Sequence, residues 1–447
     1  MKLIHWLFAL CLFTASFDIF LVFNVGGTVR FAQLVMLLVC VGAIAKATQN
    51  GAVSWPTGGL WLLLWCTVQV VFLPLGIDLS FSIRYVLFLF YTVGCYFAVV
   101  HLYGRSGYIE RLMRVYLWSY VFVAAFGVFQ MVAPMLHLGT FLVTQWIVHD
   151  RLPRINGFCY EPSYFATYMM PGWITVLDLR YSKARLTAGK RWKWLTIFLG
   201  AALFLSTSKT AWLFMMLEGF LRGFPRLLRW FKSVASRISA GRLVIRIPKP
   251  TMVVLCILAV VLAGAGLRAL GSVLDLNIFL SGTGLNNTAS HSVDERHHQF
   301  QDTVDMFEEH PWIGRSLGGV SSRIAERHGV PNDGKKYLGF PVVMDLLAAS
   351  GIIGIVPFLI FLWCNTIGFF GTIRSHWPDE RAKWLRALVR GTIFIWLVMG
   401  ADQNVLRLYL WFHMSVVAAV AVHLTTIHSA DSPDNPSGYA LPSPASA

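Results

Sequence analysis

Long runs of apolar residues, separated by polar intervals, dominate this chain. About twelve of these runs are long enough to cross about 30 Å of hydrocarbon as helices, when tilt and some short segments are allowed. They lie near residues 4–23, 31–47, 59–75, 84–103, 112–132, 163–179, 194–206, 209–222, 251–270, 341–364, 385–401 and 404–425. The pattern predicts an all-α polytopic membrane protein with about 12 transmembrane helices.

One polar interval, residues 271–340, is much longer than the others and contains an amphipathic helix. Ser292 and Glu295 have the spacing of a capping box, which predicts a helix that starts near Val293, and Pro311 predicts that it ends one residue earlier. Apolar residues and one histidine recur at helical spacing on one face of this helix, which we expect to rest on the membrane domain. They are His297, Phe300, Val304 and Phe307.

Composition and charge distribution support a membrane protein. Hydrophobic residues make up 56% of the chain and charged residues 13%, whereas soluble domains carry about a quarter charged residues. The net charge of +15 does not indicate nucleic-acid binding, because the basic residues concentrate in loops on one side of the predicted membrane. These loops lie near residues 105–114, 180–193, 222–249 and 374–386. The positive-inside rule assigns that side, and both termini, to the cytoplasm.

The same topology divides the chain into four regions. Residues 1–270 form the first nine transmembrane helices and include a periplasmic loop at 133–162. Residues 271–340 form the large periplasmic loop, and residues 341–427 the last three transmembrane helices. The Pro- and Ser-rich residues 428–447 form a disordered cytoplasmic tail.

The smaller outer loop ends in a dense cluster of polar residues. Pro162 is suited to the first position of a helix, which places Glu161 at the positive end of the helix dipole. Arg151, Arg154 and Tyr160 precede it closely. A carboxylate at the membrane boundary beside two arginines is either an ion pair that fixes the loop or part of an anion and sugar site.

Two further cations lie at predicted outer ends of helices. Lys209 follows Ser206, Thr207 and Ser208 in a tight turn and begins the next helix. A cation there opposes the helix dipole and needs an anionic partner, either a protein carboxylate or a ligand phosphate. Arg407 lies one turn inside the last junction, where Asp402 is the expected structural partner.

Four motifs, in this order, resemble the signatures of the O-antigen ligase/polymerase superfamily. They are RINGFCYEPSYFA (154–166), LSTSKTAWL (205–213), DERHHQFQDTVDMFEEHPWIGRSLGG (294–319) and DLLAASGIIGIVPF (345–358). The resemblance implies a multi-helix fold related to the membrane glycosyltransferases. It also implies that an undecaprenyl-diphosphate-linked glycan is used at the periplasmic face of the bacterial inner membrane, without metal, nucleotide sugar or other cofactor.

The resemblance also implies roles for individual residues. Arg296 matches the long-loop arginine used on the donor diphosphate, and Lys209 stands where an arginine is usual, so charge is kept but bidentate recognition is lost. Phe340 stands where the ligase pattern has a histidine, which favours a polymerase over a ligase.

The predicted site combines cations for the leaving diphosphate with a base for the acceptor hydroxyl. The catalytic candidates are Glu161 as base, Arg296 and Lys209. Alternative bases are His291, His297 and His298. The candidate substrate-binding residues are Arg154, Tyr160, His297, Arg315 and Arg407. We expect no metal site, because the outer-loop histidines lack a recognised ligand spacing.

We therefore predict a polymerase for exopolysaccharide, capsule or O-antigen, a metal-independent glycosyltransferase. Its partners would be the lipid-linked glycan and membrane lipids, and the resemblance implies a flippase and a chain-length regulator. Three alternatives stay open: an O-antigen ligase acting on a lipid A core, a flippase or transporter, and a non-catalytic assembly subunit. A transporter would not depend on Arg296.

Overall fold

A computed structural model describes residues 2–24, 28–148, 152–239, 290–329, 341–399 and 405–430. Within these ranges the helices α1 to α14 run in chain order as follows: Lys2–Thr14, Phe31–Asn50, Gly59–Val71, Leu79–Tyr103, Ile109–Met135, Pro162–Tyr181, Lys190–Leu205, Lys209–Ser239, Ser290–Glu309, Gly319–Arg327, Val342–Cys364, Phe369–Ser375, Glu380–Met399 and Leu408–Ala430. The predicted span at 251–270 and most of the predicted tail lie outside the described residues.

Two short antiparallel hairpins interrupt the helical pattern. Strands β1 (Val22–Asn24) and β2 (Thr28–Arg30) follow α1, and β3 (Trp146–Val148) and β4 (Leu152–Pro153) lie in the loop before α6. Both are very short. The protein is therefore mostly helical, with small hairpins at the ends of helices.

Five helical stretches in the described ranges are long and apolar enough to cross a membrane. They are Phe31–Asn50, Leu79–Tyr103, Ile109–Met135, Val342–Ser375 and Leu408–Ile427. Leu3–Thr14 and Gly59–Val71 are shorter apolar helices. The polytopic character is confirmed, whereas the predicted count of 12 transmembrane helices stays a prediction.

Two predicted segments have different bounds in the structure. The helix α1 ends at Thr14 rather than near residue 23, because the polar Ser16 and Asp18 follow and Asp18 is held in ion pairs. The helix α8 continues to Ser239, through part of the basic stretch 222–249 that we predicted as a loop. Arginine, lysine and leucine are good helix formers, and this stretch is rich in them.

The helix α14 lies at the centre of the bundle. Of its membrane-crossing window, 78% is buried, and it packs against α4 and α13. The helix α13 in turn packs along α6. Because α6 is anchored in the core, it fixes the positions of the polar groups at both of its ends, Glu161 and Asp178.

The long-loop helix α9 begins at Ser290 and ends at Glu309, so its predicted end before Pro311 is confirmed. The predicted face is confirmed only in part: Phe307 packs against the core, whereas His297 and Phe300 are exposed. The buried positions are Gln299, Thr303 and Met306. Thr303 can be buried because its hydroxyl donates to the carbonyl of Gln299 (2.6 Å). Apolar periodicity therefore identified the helix but only part of the side that packs.

The segment after α9 docks on a break in α11. Gly351 has φ of 60° inside that helix, and the amides of Ile352 and Ile353 donate to the carbonyls of Pro311 and Trp312 (2.9 and 3.1 Å). A Cβ atom at Gly351 would lie 2.3 Å from the Trp312 backbone. Only glycine permits this backbone contact, which joins the third and fourth sequence motifs.

Candidate functional site

The loop that leads into α6 is fixed by two buried amide side chains. Gln130 Oε1 accepts from the amides of Asn156 (3.1 Å) and Gly157 (3.0 Å), and its Nε2 donates to the Leu142 carbonyl (2.9 Å). Asn156 Nδ2 donates to the Cys159 carbonyl (2.7 Å). Gln130 and Asn156 are fully buried. Because buried polar groups in such a network have few alternative arrangements, this loop is rigid where it meets α6.

Glu161 occupies the predicted position at the start of α6. It is the N-cap residue in extended conformation, and Pro162 is the first helical residue. The carboxylate makes no capping bond to the helix; its Oε2 accepts from Ser163 Oγ (3.0 Å). In the ranges that the structure describes, it forms no ion pair with lysine or arginine. Arg154 is therefore not its ion-pair partner. Arg151, the other arginine that precedes Glu161, lies outside the described residues, so the choice between an ion pair and an anion or sugar site stays a prediction.

Arg154 binds instead to the turn that precedes α8. Its Nε donates to Thr207 Oγ1 (2.8 Å) and its Nη2 to the Thr207 carbonyl (3.1 Å), while its Nη1 donates to Gln145 Oε1 (2.8 Å). All three nitrogens of the guanidinium group are thus used for orientation. The first and second sequence motifs meet at this contact.

The backbone of Thr207 is unusual and contributes to this contact. Its φ is +52°, a region that β-branched residues rarely adopt. The conformation costs on the order of 1–2 kcal/mol, and in this structure it accompanies the donation of two Arg154 hydrogen bonds to the Thr207 hydroxyl and carbonyl. Local strain of this kind is found at functional sites, where the surrounding structure maintains it.

Lys209 lies two residues further along, at the first position of α8. The turn is stabilised by serines: Ser206 Oγ accepts from the Ser208 amide (3.4 Å), and Ser208 Oγ accepts from the Ala211 amide (3.5 Å). The Lys209 residue itself is exposed. The predicted tight turn with a lysine at the helix start is confirmed.

Arg407 packs against the start of α6 from the last helix junction. Its Cζ lies 3.5 Å from the centroid of the Tyr164 ring, and its Nη1 lies 3.4 Å from Asp18 Oδ2. Arg30 shares the same carboxylate through Oδ1 (2.8 Å). The partner shown for Arg407 is therefore Asp18, at the end of the first helical segment, whereas the expected partner Asp402 lies outside the described residues.

A second group of charges surrounds the end of α9. Arg315 Nη2 lies 3.9 Å from Glu309 Oε2, and the Arg315 amide donates to the Ala348 carbonyl (2.9 Å). Glu309 also pairs with Arg323 and Arg327. Burial tends to raise the pKa of Glu309, but these three positive charges outweigh it and hold that pKa below its ordinary value.

Of the other predicted residues, some are exposed and others lie outside the described part of the chain. Tyr160 is exposed next to Glu161. His297 is exposed and its Nε2 lies 3.0 Å from Gln301 Nε2. The side chains of Arg296 and His291 lie outside the described part of the chain, as do Arg151 and Phe340. The described contacts thus form two groups. The first consists of Arg154 and the turn before Lys209, and the second of Arg315 and Glu309.

The described residues contain no group of three or more histidine, cysteine, aspartate or glutamate side chains that could hold a metal ion. What the first group offers is an oriented guanidinium, a helix-terminal lysine and a half-buried carboxylate. Oriented cations can stabilise a leaving diphosphate, and a carboxylate without a basic partner can accept a proton. This is chemistry suited to transfer of a group from a phosphate ester.

Sequence reasoning missed several residues that hold the candidate side chains in place. Asp18, Arg30 and Thr207 appear in no motif prediction as ligands or partners, and only the fold brings them to the site. Gln130 carried a usable signal, because it is a lone amide within a long apolar run. Asn156 lies inside the first motif and was detectable there.

The model of the O-antigen ligase family matches residues 194–359. That range contains the second, third and fourth sequence motifs, and the first motif precedes it. The resemblance to the O-antigen ligase/polymerase superfamily is therefore confirmed. Together with the apolar helices, the match favours a membrane protein of the O-antigen ligase/polymerase type. No curated protein matches the chain.

Proposed function

We propose that this protein polymerises undecaprenyl-diphosphate-linked oligosaccharide repeat units at the periplasmic face of the bacterial inner membrane. The single observation that carries the proposal is the contact between Arg154 and Thr207. It joins the loop that ends in Glu161 to the turn that begins α8 with Lys209. This contact between the segments that carry Arg154, Glu161 and Lys209 supports the assignment of these three residues to one site.

In the reaction we propose, an acceptor hydroxyl oxygen attacks the anomeric carbon of the donor sugar. The bond between that carbon and the diphosphate oxygen breaks, and undecaprenyl diphosphate leaves with the electron pair. Arg154 and Lys209, with Arg296 from the long loop, stabilise the charge that develops on the leaving group. Such fixed donors act best in a site that excludes water.

Glu161 takes the proton of the acceptor hydroxyl. Its support is positional: it is half-buried, lies at the start of a core helix and accepts from the hydroxyl of Ser163, with no lysine or arginine partner among the described residues. Tyr160, Arg407 and Arg315 would contact the sugars or the diphosphate at the rim of the site. An aromatic side chain such as Tyr160, exposed beside the base, is suited to pack on a sugar ring.

The choice of a polymerase over a ligase depends on Phe340, which stands where the ligase pattern has a histidine. A ligase would transfer the glycan to a lipid A core instead of a second repeat unit. Both reactions release the same lipid diphosphate, so the acceptor alone distinguishes them.

The test uses purified protein in liposomes, supplied with an undecaprenyl-diphosphate-linked oligosaccharide. We expect a ladder of longer lipid-linked glycans and no product on an added lipid A core. Arg154→Ala and Lys209→Ala should each reduce the rate about 10²- to 10³-fold, the usual loss for one donor to a developing anion. Lys209→Arg should retain activity, because it restores the pair of parallel donors that the superfamily usually has.

Arg114→Ala is the matched control, since this arginine is exposed and pairs with Glu110 within one helix. It should leave the ladder unchanged. Product on lipid A core with no ladder would identify a ligase. A normal ladder from both Arg154→Ala and Lys209→Ala would refute the proposed site.

A further inference from the structure

A second cluster of charges lies at the opposite end of α6. Asp178 is about 25 Å from Glu161 along the helix axis, at 1.5 Å per residue. Asp178 and Glu218 are almost fully buried, with side-chain exposures of 3% and 1%. Arginines from α8 and α13 surround both carboxylates. This end of α6 is the one that sequence assigns to the cytoplasmic leaflet.

Each carboxylate oxygen in this cluster pairs with one guanidinium group. Asp178 pairs with Arg222 (3.3 Å) and Arg386 (2.9 Å). Glu218 pairs with Arg222 and with Arg390 (2.7 Å). Three positive charges thus meet two negative charges, which leaves one positive charge in excess. The side chains of Arg386 and Arg390 are each 31% exposed, so an anion at the surface can reach and neutralise this excess charge.

Four arginines, Arg222, Arg229, Arg386 and Arg390, line a cleft of about 340 Å³. Arg390 Nε is buried and makes no hydrogen bond within the described part of the chain. Arg229 also lines the cleft; its Nε donates to the Pro225 carbonyl (3.2 Å), and it has no carboxylate partner among the described residues. The cleft therefore offers hydrogen-bond donors and positive charge, but few acceptors.

The same cleft has an apolar side. Leu221, Phe370 and Ile393 line it together with the arginines. Leu221 and Phe370 are 45% and 47% exposed, although they lie on helices of a membrane protein. An apolar surface next to a cationic cleft matches an amphiphile with an anionic head and a hydrocarbon tail, and basic pockets between helices on the cytoplasmic side bind such headgroups.

We propose that this cleft binds the phosphate headgroup of an anionic phospholipid in the leaflet opposite to the candidate active site. The phosphate accepts from Arg390 and Arg229, and the acyl chains lie against Leu221 and Phe370. Bound lipid would compensate the excess charge and hold α6, α8 and α13 together. A soluble phosphate could use the same donors but would leave the apolar side uncovered.

Native mass spectrometry of the full chain in detergent tests this proposal. The probes are phosphatidylglycerol, phosphatidylcholine and inorganic phosphate, each titrated separately. We expect retained phosphatidylglycerol, little phosphatidylcholine, and no displacement by a large excess of inorganic phosphate. Arg229→Gln should weaken phosphatidylglycerol binding about fivefold, the factor expected for one basic residue near an anionic surface. Arg229 lies outside the ion-pair network, so this variant should fold normally.

Arg105→Gln is the matched control, an exposed arginine in another loop on the same predicted side that does not line the cleft. It should bind phosphatidylglycerol as the unmodified protein does. Equal weakening in both variants would show that diffuse surface charge binds the lipid, and would overturn the proposal. Binding of inorganic phosphate without lipid preference, or of neither probe, would also overturn it. Because the readout is binding rather than glycan synthesis, the result is independent of the proposed function.

Discussion

The two ends of α6 carry carboxylates in opposite environments. Glu161, at the start, is half-buried and accepts one hydrogen bond from the hydroxyl of Ser163, with no basic partner in the described ranges. Asp178, one turn before the end, is 3% exposed and pairs with Arg222 and Arg386. One helix therefore carries a carboxylate that we propose as the base and a second carboxylate that is held between two arginines.

The comparison shows why a boundary charge cannot be assigned a role from position alone. Both residues are acidic, both lie near a membrane surface, and both have arginines nearby in the sequence. What differs is whether an arginine reaches the carboxylate in the folded protein, from whatever distance along the chain. Arg154 is oriented by Thr207 and Gln145, whereas Arg386 donates directly to Asp178.

The largest expected effect comes from replacing Glu161 by its isosteric amide. Glu161→Gln cannot accept a proton, so we expect glycan polymerisation to slow about 10²- to 10⁴-fold, the range for loss of a general base. The free energy of unfolding should change by less than about 1 kcal/mol, because there is no capping bond to lose. The rate of ladder formation in liposomes and denaturant unfolding in detergent measure the two quantities.

Glu161→Asp is the control, because it keeps an ionisable group at the same backbone position. It should recover part of the rate that Glu161→Gln loses. A Glu161→Gln rate within tenfold of normal would assign the proton to another acceptor, such as a long-loop histidine. Glu161 would then have no catalytic role that distinguishes it from Asp178.

Replacing the carboxylate at the other end of α6 by its amide should instead lower stability and leave the rate of glycan synthesis nearly unchanged. Asp178→Asn leaves Arg222 and Arg386 facing a neutral amide in a buried site, which we expect to destabilise the protein by about 3 kcal/mol. Protein that stays folded should keep most of its activity, since the site lies about 25 Å away. Denaturant unfolding in detergent and activity per folded molecule provide the measurements.

A double-variant cycle tests whether the stability lost in Asp178→Asn comes from the ion pair between Asp178 and Arg386. Adding Arg386→Gln to Asp178→Asn removes one of the two unpaired cations and should recover part of the lost stability. Strictly additive losses would show that the two side chains do not act as a pair.

Sequence reasoning identified the segments of the outer site better than their connections. The start of α6 at Pro162, the turn before Lys209 and the end of α9 follow from local rules for proline, capping and helix termini. Those rules act over a few residues, so the sequence displays them directly. The contact of Arg154 with Thr207 spans 53 residues and depends on a backbone conformation that no propensity predicts.

Burial was harder to predict than secondary structure. The apolar face proposed for α9 turned out to be exposed at His297 and Phe300, because packing on α11 selects Thr303 and Met306 instead. In a membrane protein, apolar residues face both lipid and protein, so hydrophobicity does not tell the two apart. The cluster around Asp178 and Glu218 was also not predicted. Both residues lie within predicted apolar spans, and the sequence does not indicate which arginines pair with them.

Replacing Arg154 or Arg386 by lysine should change activity and stability less than the substitutions above. Arg154→Lys keeps the charge but cannot make the three hydrogen bonds to Thr207 and Gln145, so we expect about a tenfold slower rate of glycan synthesis. Arg386→Lys can still pair with Asp178, and its unfolding free energy should fall by less than about 1 kcal/mol. Comparable loss of rate in both variants would contradict the separation of roles between the two ends.

The smallest effect concerns Glu309, a carboxylate that is paired like Asp178 but far more exposed. Burial alone would raise the pKa of Glu309, but Arg323, Arg327 and Arg315 hold it below its ordinary value of 4.5. Because the pKa is lower in the folded state, the ion pairs stabilise α9 and α10 above pH 4.5 and weaken as the pH falls below that value. The protection factors of the amides in residues 297–329, which are corrected for the slower intrinsic exchange in acid, should therefore fall on acidification. Glu309→Gln should exchange faster already at neutral pH and respond less to acid. An unchanged acid response in that variant would assign the effect to Asp302 and Asp305, which also pair with Arg327.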